Sequence, residues 1–582
     1  MGATPLIGPV DGAVARLREV EPGRLALDDL ATGISDSGWV EPVGVAGSTA
    51  WVKVSTAAVE SDAAVAAALD SILAQVRSTG ARRLVVEPDD EDHERVRSVL
   101  AVAAGDLDVM VVPPLRITNS LGRRVERLIP IHPGQVGMYS CGPTVYSYAH
   151  LGNMRTFMLP DLIRRNAERQ HLSVVVCQNI TDVGHLADDA EADPAGEDKV
   201  LAQARAEGKT ALDIARSYAD AYRTDCAALN ILPPDYSPRA SESIDLMIDM
   251  IAKLIETGHA YVAASGSVYF AARSVPDYGA LSGNRLDELM PGHRSAGDVD
   301  EEKRFHADWA LWKSAPPERE LTWPAPWGTG FPGWHTECSA MSLKFLGDVI
   351  DIHTGGIDLR FPHHEDERAQ SNALAGHEVV QHWVHGEHVL FEGRKMAKST
   401  GNVVLLSDLT ARGLDPLAAR LAFLEHRYRQ QMNLTWETLT AANGTVRRWR
   451  EQVADWANEP SKPMCAEYWG RITTALDDDL DTPAALRTLR ELAKDPETPA
   501  GSKFETFASA DRVLGLDLVS LVGQPRTVTP LPPGAEGRLA ERSAARERRD
   551  YAAADRLRTE LSELGVMVAD TPDGQTWTVT PD

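Results

Sequence analysis

The stretch GQVGMYSCGPTVYSYAHLGNMRTFMLPDLIRRNAERQ, residues 134–170, decides the fold. It runs from an apolar strand pattern through a Gly/Pro turn into a long helical pattern. The apolar run at 172–177, inside HLSVVVCQNITDVGH, predicts a second strand directly afterwards. Strand, helix and strand at this spacing predict a parallel α/β sheet, because neighbouring parallel strands are joined by such a crossover.

The chain before this stretch has its own pattern of strands and helices. Residues 1–118 read as a small α/β extension of unknown role, and they contain no catalytic constellation. The predicted elements of this extension are strands at 50–56, 82–88 and 108–115 and a helix at 61–78. We expect removal of residues 1–118 to leave the chemistry of the remaining chain intact.

The chain after this stretch divides further. Residues 119–404 carry the α/β pattern, interrupted at about 240–330 by a mixed segment that indicates an insertion. Helical patterns fill 405–527. Residues 528–582 begin with a Pro/Gly-rich linker at 528–537 and end in an Arg-rich helix and a short tail.

Composition and cysteine usage narrow the class of protein. The 582 residues are 43% hydrophobic and 25% charged, which is ordinary for a globular chain of several domains. No apolar run is long enough for a membrane span, and the start lacks a secretory pattern. The scattered cysteines without a CxxC pair are typical of a cytoplasmic protein, and they require any metal site to combine distant segments. They are Cys141, Cys177, Cys226, Cys338 and Cys465.

The charge pattern bears on possible nucleic-acid partners. A net charge of −26 argues against non-specific binding of nucleic acid. A local basic face is nevertheless enough for a specific RNA partner. Residues 538–558 supply such a basic face, with seven arginines and four acidic residues. The isolated segment also fits a salt-bridged surface helix.

Two short motifs are suited to binding phosphates. His150, Gly152 and Asn153 stand at a turn into a helix, where an imidazole and a helix N-terminus can face phosphate groups. Lys395 and Lys398 in FEGRKMAKSTGN (391–402) can neutralise charge on a transferring phosphate. Each motif alone also fits a purely structural role: the first as a capped turn, and the second as a solvent-exposed basic loop.

Taken together and in this order, HLGN and KMAKS resemble the HIGH and KMSKS signatures of class I aminoacyl-tRNA synthetases. HLGN departs from HIGH at its second and fourth positions, and KMAKS departs from KMSKS at Ala397. Asn153 still offers a side-chain donor, and both lysines remain.

The segment FPHHEDER (361–368) is a candidate for metal binding. His363 and Glu367 are four residues apart, so a helix places both on one face. A tetrahedral zinc site needs about four ligands, and Cys141 and Cys338 can complete the set. Without those cysteines, a charged helix start would be the better interpretation.

Four stretches together resemble the cysteinyl-tRNA synthetase family: YSCGPTVYSYAHLGN (139–153), FPGWHTECSAMS (331–342), DIHTGGIDLRFPHHEDERAQS (351–371) and KMAKSTGN (395–402). The resemblance extends over residues 119–582, about four-fifths of the chain. It implies a class I Rossmann-type α/β catalytic domain with an inserted connective domain and a helical C-terminal anticodon-binding domain. The small N-terminal α/β domain is additional to this architecture.

The resemblance also implies an activity. The expected reaction is ATP-dependent ligation of L-cysteine to tRNA(Cys) through a cysteinyl-adenylate, by a cytoplasmic monomer. One Zn²⁺ per chain would be held by Cys141, Cys338, His363 and Glu367, and Mg²⁺ would accompany ATP. Zinc binds a thiolate far more readily than a hydroxyl, which would separate cysteine from serine without an editing domain.

Further site residues follow from the resemblance. His150, Asn153, Lys395 and Lys398 would contact the phosphates. Tyr551 and Asp555, one helical turn apart, would read the first anticodon base. The pocket for ATP and cysteine would include Gly142, Thr144, Gly152, Trp334, His353, Gly355, Gly356 and Asp358. For Trp334, simple core packing is the competing interpretation.

Two alternatives remain at this point. Relatives of the catalytic domain that transfer activated cysteine to a small amine, such as an amino sugar, resemble a synthetase without the anticodon module. The presence of residues 405–582 favours tRNA as the acceptor. A non-catalytic tRNA-binding protein is the other alternative, and the two complete phosphate motifs and the four metal-ligand candidates argue against it.

Overall fold

The computed structural model describes residues 114–132, 134–183, 199–289, 301–316, 319–396, 401–524, 531–571 and 574–579. Nearer the N-terminus it describes four strands and the helical residues Leu73 and Val96. Among the helices in these ranges, none combines the length and apolar character that crossing a bilayer requires.

The N-terminal strands form one sheet. They are β1 (Val40–Ala46), β2 (Thr49–Val54), β3 (Arg83–Pro88) and β4 (Asp108–Val111), in that order. β1 runs antiparallel to β2, and β2, β3 and β4 are parallel. The three strands predicted in this region are therefore confirmed. The predicted helix at 61–78 lies outside the described residues except for Leu73, which is helical and buried.

A hairpin follows that packs into the main hydrophobic core. β5 (Arg116–Asn119) pairs with β6 (Arg124–Arg127). Leu115 and Ile117 are fully buried in the same hydrophobic cluster as the central sheet. Leu115 and Ile117 therefore pack with the main core, whereas the domain boundary at 118/119 stays a prediction.

The central sheet confirms the predicted strand–helix–strand unit. β7 (Gln135–Ser140) leads through a loop into α1 (Leu151–Arg169), which crosses to β8 (Ser173–Gln178). β7 and β8 are parallel, with Val136 opposite Val174. The buried side of α1 packs into the main core through residues such as Met154 and Leu162, because its apolar positions recur at helical spacing.

The middle of the chain contains a second small sheet. α2 (Lys199–Glu207) and α3 (Ala211–Ala228) follow β8, and α4 (Ile244–Glu256) comes next. The sheet is antiparallel in the order β12–β11–β10–β9 and has its own apolar cluster. Its strands are β9 (Ala260–Val262), β10 (Val268–Phe270), β11 (Trp309–Ser314) and β12 (Gly330–Pro332). α4 and the strands β9, β10 and β11 lie within the segment predicted as an insertion at about 240–330, whose boundaries stay a prediction.

The second half of the central sheet follows. α5 (Trp334–Leu346) leads to β13 (Ile350–Gly356), and α6 (His363–Ala375) leads to β14 (Val380–Gly386). The sheet order is β14–β13–β7–β8, all parallel. Every residue of β13 is buried, as expected for a strand covered on both faces.

A three-stranded sheet and a helical region come after β14. The strands are β15 (Val389–Phe391), β16 (Arg394–Lys395) and β17 (Met432–Leu434). The helices are α7 (Leu406–Ala411), α8 (Leu417–Leu424), α9 (Trp436–Trp456), α10 (Ala466–Asp477), α11 (Thr482–Lys494) and α12 (Ala500–Leu514). The helical patterns predicted after residue 405 are confirmed.

Ser520–Asp582 form a second compact unit. Its elements are α13 (Ala535–Glu547), α14 (Tyr551–Glu563), β18 (Val566–Thr571) and β19 (Gly574–Val579). The prediction of one Arg-rich helix was wrong: Arg549 adopts φ +60° and Asp550 caps a new helix, so the segment breaks in two. The predicted tail is a β-hairpin, and α13 begins inside the predicted linker.

Candidate active site

Four buried side chains that could together hold a metal ion meet beside the carboxyl ends of β7 and β13. Cys141 directly follows β7, Cys338 lies on α5, and His363 and Glu367 lie on the first turns of α6. The sulfur atoms of Cys141 and Cys338 are 3.9 Å apart, and Cys141 Sγ is 3.6 Å from Glu367 Oε1. His363 Nε2 is 3.0 Å from Glu367 Oε1. The one-face geometry expected from the spacing of residues 363 and 367 is confirmed.

A second donor set overlaps the first. Cys141 and Glu367 also lie near His353 and His364, and the ligand atoms of each set are within 4.8 Å of one another. A cavity of about 290 Å³ lies beside the two sets and contacts them unequally. Cys141, Cys338 and His363 line it, whereas His353 and His364 are not among its described lining residues. Three members of the two-sulfur set line the cavity, against one member of the other set, so the two-sulfur set is better placed to present a bound ion to a molecule in the cavity.

The donor chemistry of this set fits a metal ion. Two thiols, one imidazole and one carboxylate are the ligand types that zinc takes in tetrahedral sites. Glu367 Oε2 is buried and accepts no hydrogen bond from a described residue. A bound cation would satisfy this oxygen, which is otherwise costly to bury.

Contacts behind His363 orient its ring. His363 Nδ1 is 2.7 Å from His335 Nδ1, and His335 Nε2 is 3.4 Å from Asp366 Oδ2. Asp366 favours a proton on His335 Nε2, which leaves His335 Nδ1 to accept from His363 Nδ1–H. His363 Nε2 therefore faces the donor cluster, as metal-binding histidines do when a carboxylate orders them.

A second chain of histidines lies on the other side of the cluster. His364 Nε2 is 3.2 Å from Cys141 Sγ, and His364 Nδ1 is 2.9 Å from His385 Nε2. His385 Nδ1 in turn is 2.7 Å from the Ser120 hydroxyl. The ring of His353 stacks on Trp383 with a centroid separation of 4.6 Å.

Burial and charge set the protonation of the cluster. Burial lowers the pKa of His353 to about 4 and that of His385 to about 3, so both rings are neutral. Burial acts the same way on His363, but the Glu367 carboxylate and the Cys338 sulfur raise its pKa to about 10. Burial raises the pKa of the Cys141 thiol well above its ordinary value. A metal bound here would therefore displace protons.

The two phosphate motifs lie next to each other. His150 is the N-cap of α1: its Nδ1 accepts from Asn153 N–H, and Asn153 Oδ1 accepts from His150 N–H, each at 3.2 Å. Leu151 N–H donates to Val404 O at 2.9 Å, just after the KMAKS segment. Lys395 is exposed on β16, whereas Lys398 lies outside the described residues. The turn into a helix that HLGN predicts is confirmed.

The sequence resembles known proteins along most of its length. A family profile described as "tRNA synthetases class I (C) catalytic domain" matches residues 127–444, and one described as "Cysteinyl-tRNA ligase anticodon binding domain" matches residues 529–577. The cysteine–tRNA ligase of Thermus thermophilus is 43% identical over 486 residues, which cover 80% of this chain and 99% of that protein. The chain belongs to the cysteine–tRNA ligase family.

A second relative agrees with this family assignment. The cysteine–tRNA ligase of Alkalilimnicola ehrlichii is 41% identical over 477 residues, covering 80% of this chain and 99% of that protein. Among solved structures, methionyl-tRNA synthetase of Mycobacterium tuberculosis in complex with methionyl-adenylate has 15% identity and a TM-score of 0.45. That likeness covers 72% of this chain and 96% of the other.

The residues predicted for the site of this cysteine–tRNA ligase family member fall into two groups: some line the cavity, and others do not. Those that line the cavity are Gly142, Thr144, Asn153, Trp334, Gly356 and Asp358. His353 and Gly355 lie behind its wall, and a Cβ on Gly355 would be 2.6 Å from the His364 ring. Gly152 packs against the His150 ring and the Met396 side chain, and a Cβ on Gly152 would lie 3.0 Å from each. These two glycines are required by close protein packing.

Trp334 was predicted either at the pocket or in the core. It is half-buried, lines the cavity, and its ring centroid is 4.2 Å from that of His363. The indole therefore covers a candidate metal ligand on the cavity side. This contact favours the pocket interpretation over simple core packing.

Sequence reasoning missed one wall of the cavity. Asn179 Oδ1 accepts from Gly142 N–H at 2.7 Å, and Asn179 Nδ2 donates to Thr181 Oγ1 at 3.0 Å. Thr181 Oγ1 donates to the buried Glu337 Oε2 at 2.9 Å. The signal was available, because polar residues at the carboxyl end of a buried parallel strand lie at the ligand-binding edge of such sheets.

Tyr551 and Asp555 lie in the second compact unit, on α14. Tyr551 is 59% exposed, and the carboxylate of Asp555 is 3.6 Å from Arg558. Both side chains project from one helical face toward solvent, as the one-turn spacing predicts.

Proposed function

We propose that the protein ligates L-cysteine to tRNA(Cys) with ATP, through a cysteinyl-adenylate. The observation that carries this proposal is the position of the two-sulfur donor set on the wall of the cavity that also contains Asn153. An amino acid with a thiol and a nucleotide phosphate can both be held in this one space. The anticodon-binding match at residues 529–577 supports tRNA as the acceptor.

The proposed metal is one Zn²⁺, held by Cys141, Cys338, His363 and Glu367. When bound, it supplies a Lewis acid that prefers a soft thiolate to a hydroxyl. An apolar pocket would separate cysteine from serine weakly, because the two are nearly isosteric. Trp334 and Thr144 limit the remaining space around the side chain of the amino acid.

In the first step, a carboxylate oxygen of cysteine bonds to the α-phosphorus of ATP. The bond from that phosphorus to the bridging oxygen breaks, and its electron pair leaves with pyrophosphate, accompanied by Mg²⁺. Because His150 Nδ1 accepts the N-cap hydrogen bond, the neutral ring carries its proton on Nε2 and can donate it to a phosphate oxygen. The N-terminus of α1 favours the same negative charge.

The lysines act from the neighbouring loop. Lys395 and Lys398 would neutralise the charge that develops on the leaving phosphates. In the second step, the terminal ribose hydroxyl of tRNA attacks the carbonyl carbon of the adenylate. The ester bond forms, the bond to AMP breaks, and AMP leaves.

The proposal includes a monomeric, cytoplasmic enzyme. The scattered cysteines, without a CxxC pair, are the sequence feature that supports a cytoplasmic protein.

Charging of bulk tRNA with labelled cysteine tests the proposal, using full-length protein, ATP and Mg²⁺. We expect acid-precipitable label that depends on cysteine and is removed by ribonuclease, with serine as the matched negative control. Pyrophosphate exchange without charging would instead indicate a non-tRNA acceptor such as a small amine. No cysteine-dependent exchange would exclude both activities.

A further inference from the structure

A large exposed aromatic ring stands at the rim of the cavity. Tyr148 lies in the loop between β7 and α1, two residues before His150, and it lines the cavity while remaining 55% exposed. A ligand that enters the cavity can cover a ring exposed at its rim, which removes apolar surface from water. The ring is therefore a candidate contact for a molecule that enters the cavity.

A neighbouring helix holds this ring in place. Tyr218 on α3 meets Tyr148 edge to face, with centroids 5.0 Å apart and planes at 83°. The Tyr218 hydroxyl donates to Glu207 Oε1 at 2.9 Å. Glu207 is also 2.9 Å from Lys209 Nζ. Tyr148 is thus fixed from one side, while the rest of its surface is open to solvent.

An exposed aromatic ring at the rim of a cavity suits a nucleotide, because every base has a face that can stack on it. Lys209, on the turn between α2 and α3, is paired with Glu207 in the group of side chains that holds the ring.

We propose that Tyr148 is a stacking platform for a nucleobase at the mouth of the cavity. This inference rests on the proposed function, which brings two nucleotides to the site: ATP and the 3′ end of tRNA. Either could supply the base, and the chemistry of recognition is the same for both. No specific hydrogen bond is required, since every base has a stacking face.

Binding measurements on Tyr148→Leu and Tyr148→Phe test the platform and identify the base. Leucine keeps much of the apolar bulk but cannot stack, and phenylalanine keeps the ring. The ligands are ATP, intact tRNA(Cys), and tRNA(Cys) whose terminal nucleotide lacks its base. Dissociation constants are measured with the full chain, and thermal melting confirms that each variant is folded.

Stacking predicts that Tyr148→Leu weakens binding of one ligand about 5- to 150-fold, and that Tyr148→Phe restores it. A loss for ATP alone assigns the platform to the adenine of ATP. If Tyr148→Leu weakens binding of intact tRNA but does not change binding of tRNA without its terminal base, the platform belongs to the 3′ end.

Two results would overturn the inference. One is a folded Tyr148→Leu variant that binds ATP and intact tRNA as tightly as the unsubstituted protein. The other is an equal loss for intact and base-lacking tRNA with ATP unaffected, which would mean a contact to another part of the RNA. Failure of the proposed function looks different, because the unsubstituted protein itself would then fail to bind tRNA(Cys), or to bind both tRNA(Cys) and ATP.

Discussion

Cys338 lies in the middle of α5, almost fully buried, with its sulfur 3.9 Å from that of Cys141. Burial raises its pKa, but the hydrogen bond from Cys141 and the neighbouring His363 together lower that pKa below the ordinary value for a thiol. The side chain is thus prepared to carry negative charge where a cation would bind.

We predict that Cys338→Ser lowers zinc content and lowers cysteine activation at least about 100-fold, because a hydroxyl is a much weaker zinc ligand than a thiolate. Metal analysis and cysteine-dependent pyrophosphate exchange measure the two effects. Cys465→Ser is the matched control, since Cys465 is half-buried at the start of α10. A zinc-free Cys338→Ser variant with normal activation would refute the role of the metal.

At the scale of elements, α1 is anchored to the helical region by a buried ion pair. Arg420 on α8 is fully buried, and its Nη2 is 2.6 Å from Asp161 Oδ2 on α1. The same guanidinium donates to Leu514 O at 2.6 Å and to Leu229 O at 3.0 Å. Arg165 also contacts Asp161 at 3.0 Å. One side chain therefore ties together the helix that carries HLGN and two distant segments.

We predict that Arg420→Met lowers the free energy of unfolding by about 3 kcal/mol, because it leaves buried carbonyl oxygens and part of a buried carboxylate unpaired. Urea unfolding measures this change. Arg447→Met is the control: its pair with Glu451 is exposed, at 3.8 Å, so its loss should change stability by less than about 0.5 kcal/mol. Equal effects of the two substitutions would contradict the anchoring role.

α14 belongs to a different compact unit and should affect a different step. We predict that Tyr551→Ala and Asp555→Ala each lower kcat/KM for tRNA charging about 10-fold, through lost stacking and lost base-edge contact. Cysteine-dependent pyrophosphate exchange, which needs no tRNA, should not change. Glu563→Ala, exposed at the end of the same helix, is the control. Normal charging by both variants would exclude these side chains from anticodon recognition.

At the scale of the whole molecule, the boundary of the N-terminal extension becomes testable. Leu115 and Ile117 belong to the main core, and Thr118 donates through both its N–H and its hydroxyl to Asp479, at 2.8 and 2.9 Å. A deletion that ends at residue 118 therefore removes core contacts as well as the extension. We therefore expect a deletion that ends before Leu115 to be better tolerated than one that ends at the predicted boundary, residue 118.

We predict that deleting residues 1–112 leaves cysteine activation unchanged, whereas deleting 1–118 lowers stability. The second deletion removes two fully buried apolar side chains, each contributing about 1.5–3 kcal/mol. Pyrophosphate exchange and thermal melting of the two truncated proteins separate these effects. A folded 113–582 protein without exchange would show that the extension takes part in activation.

The features that could be predicted from sequence are those that depend on the spacing of residues close together in the chain. The strand–turn–helix around residues 134–170, the N-cap at His150 and the shared face of His363 and Glu367 depend on neighbours a few residues apart. Cys141 and Cys338 were candidates to complete the metal-ligand set with His363 and Glu367, and the resemblance to a family assigned them to it. The central sheet and the main donor set could therefore be anticipated without coordinates.

The tertiary structure alone decided which distant side chains share a surface. It put His353 and Gly355 behind the cavity wall, brought Asn179, Thr181 and Glu337 into one hydrogen-bonded chain, and set Tyr148 against Tyr218. Spacing along the chain predicts neither which side of a buried strand end faces the cavity nor which helix packs beside it. Those outcomes depend on the packing of segments far apart in sequence, and a single sequence carries no direct signal for them.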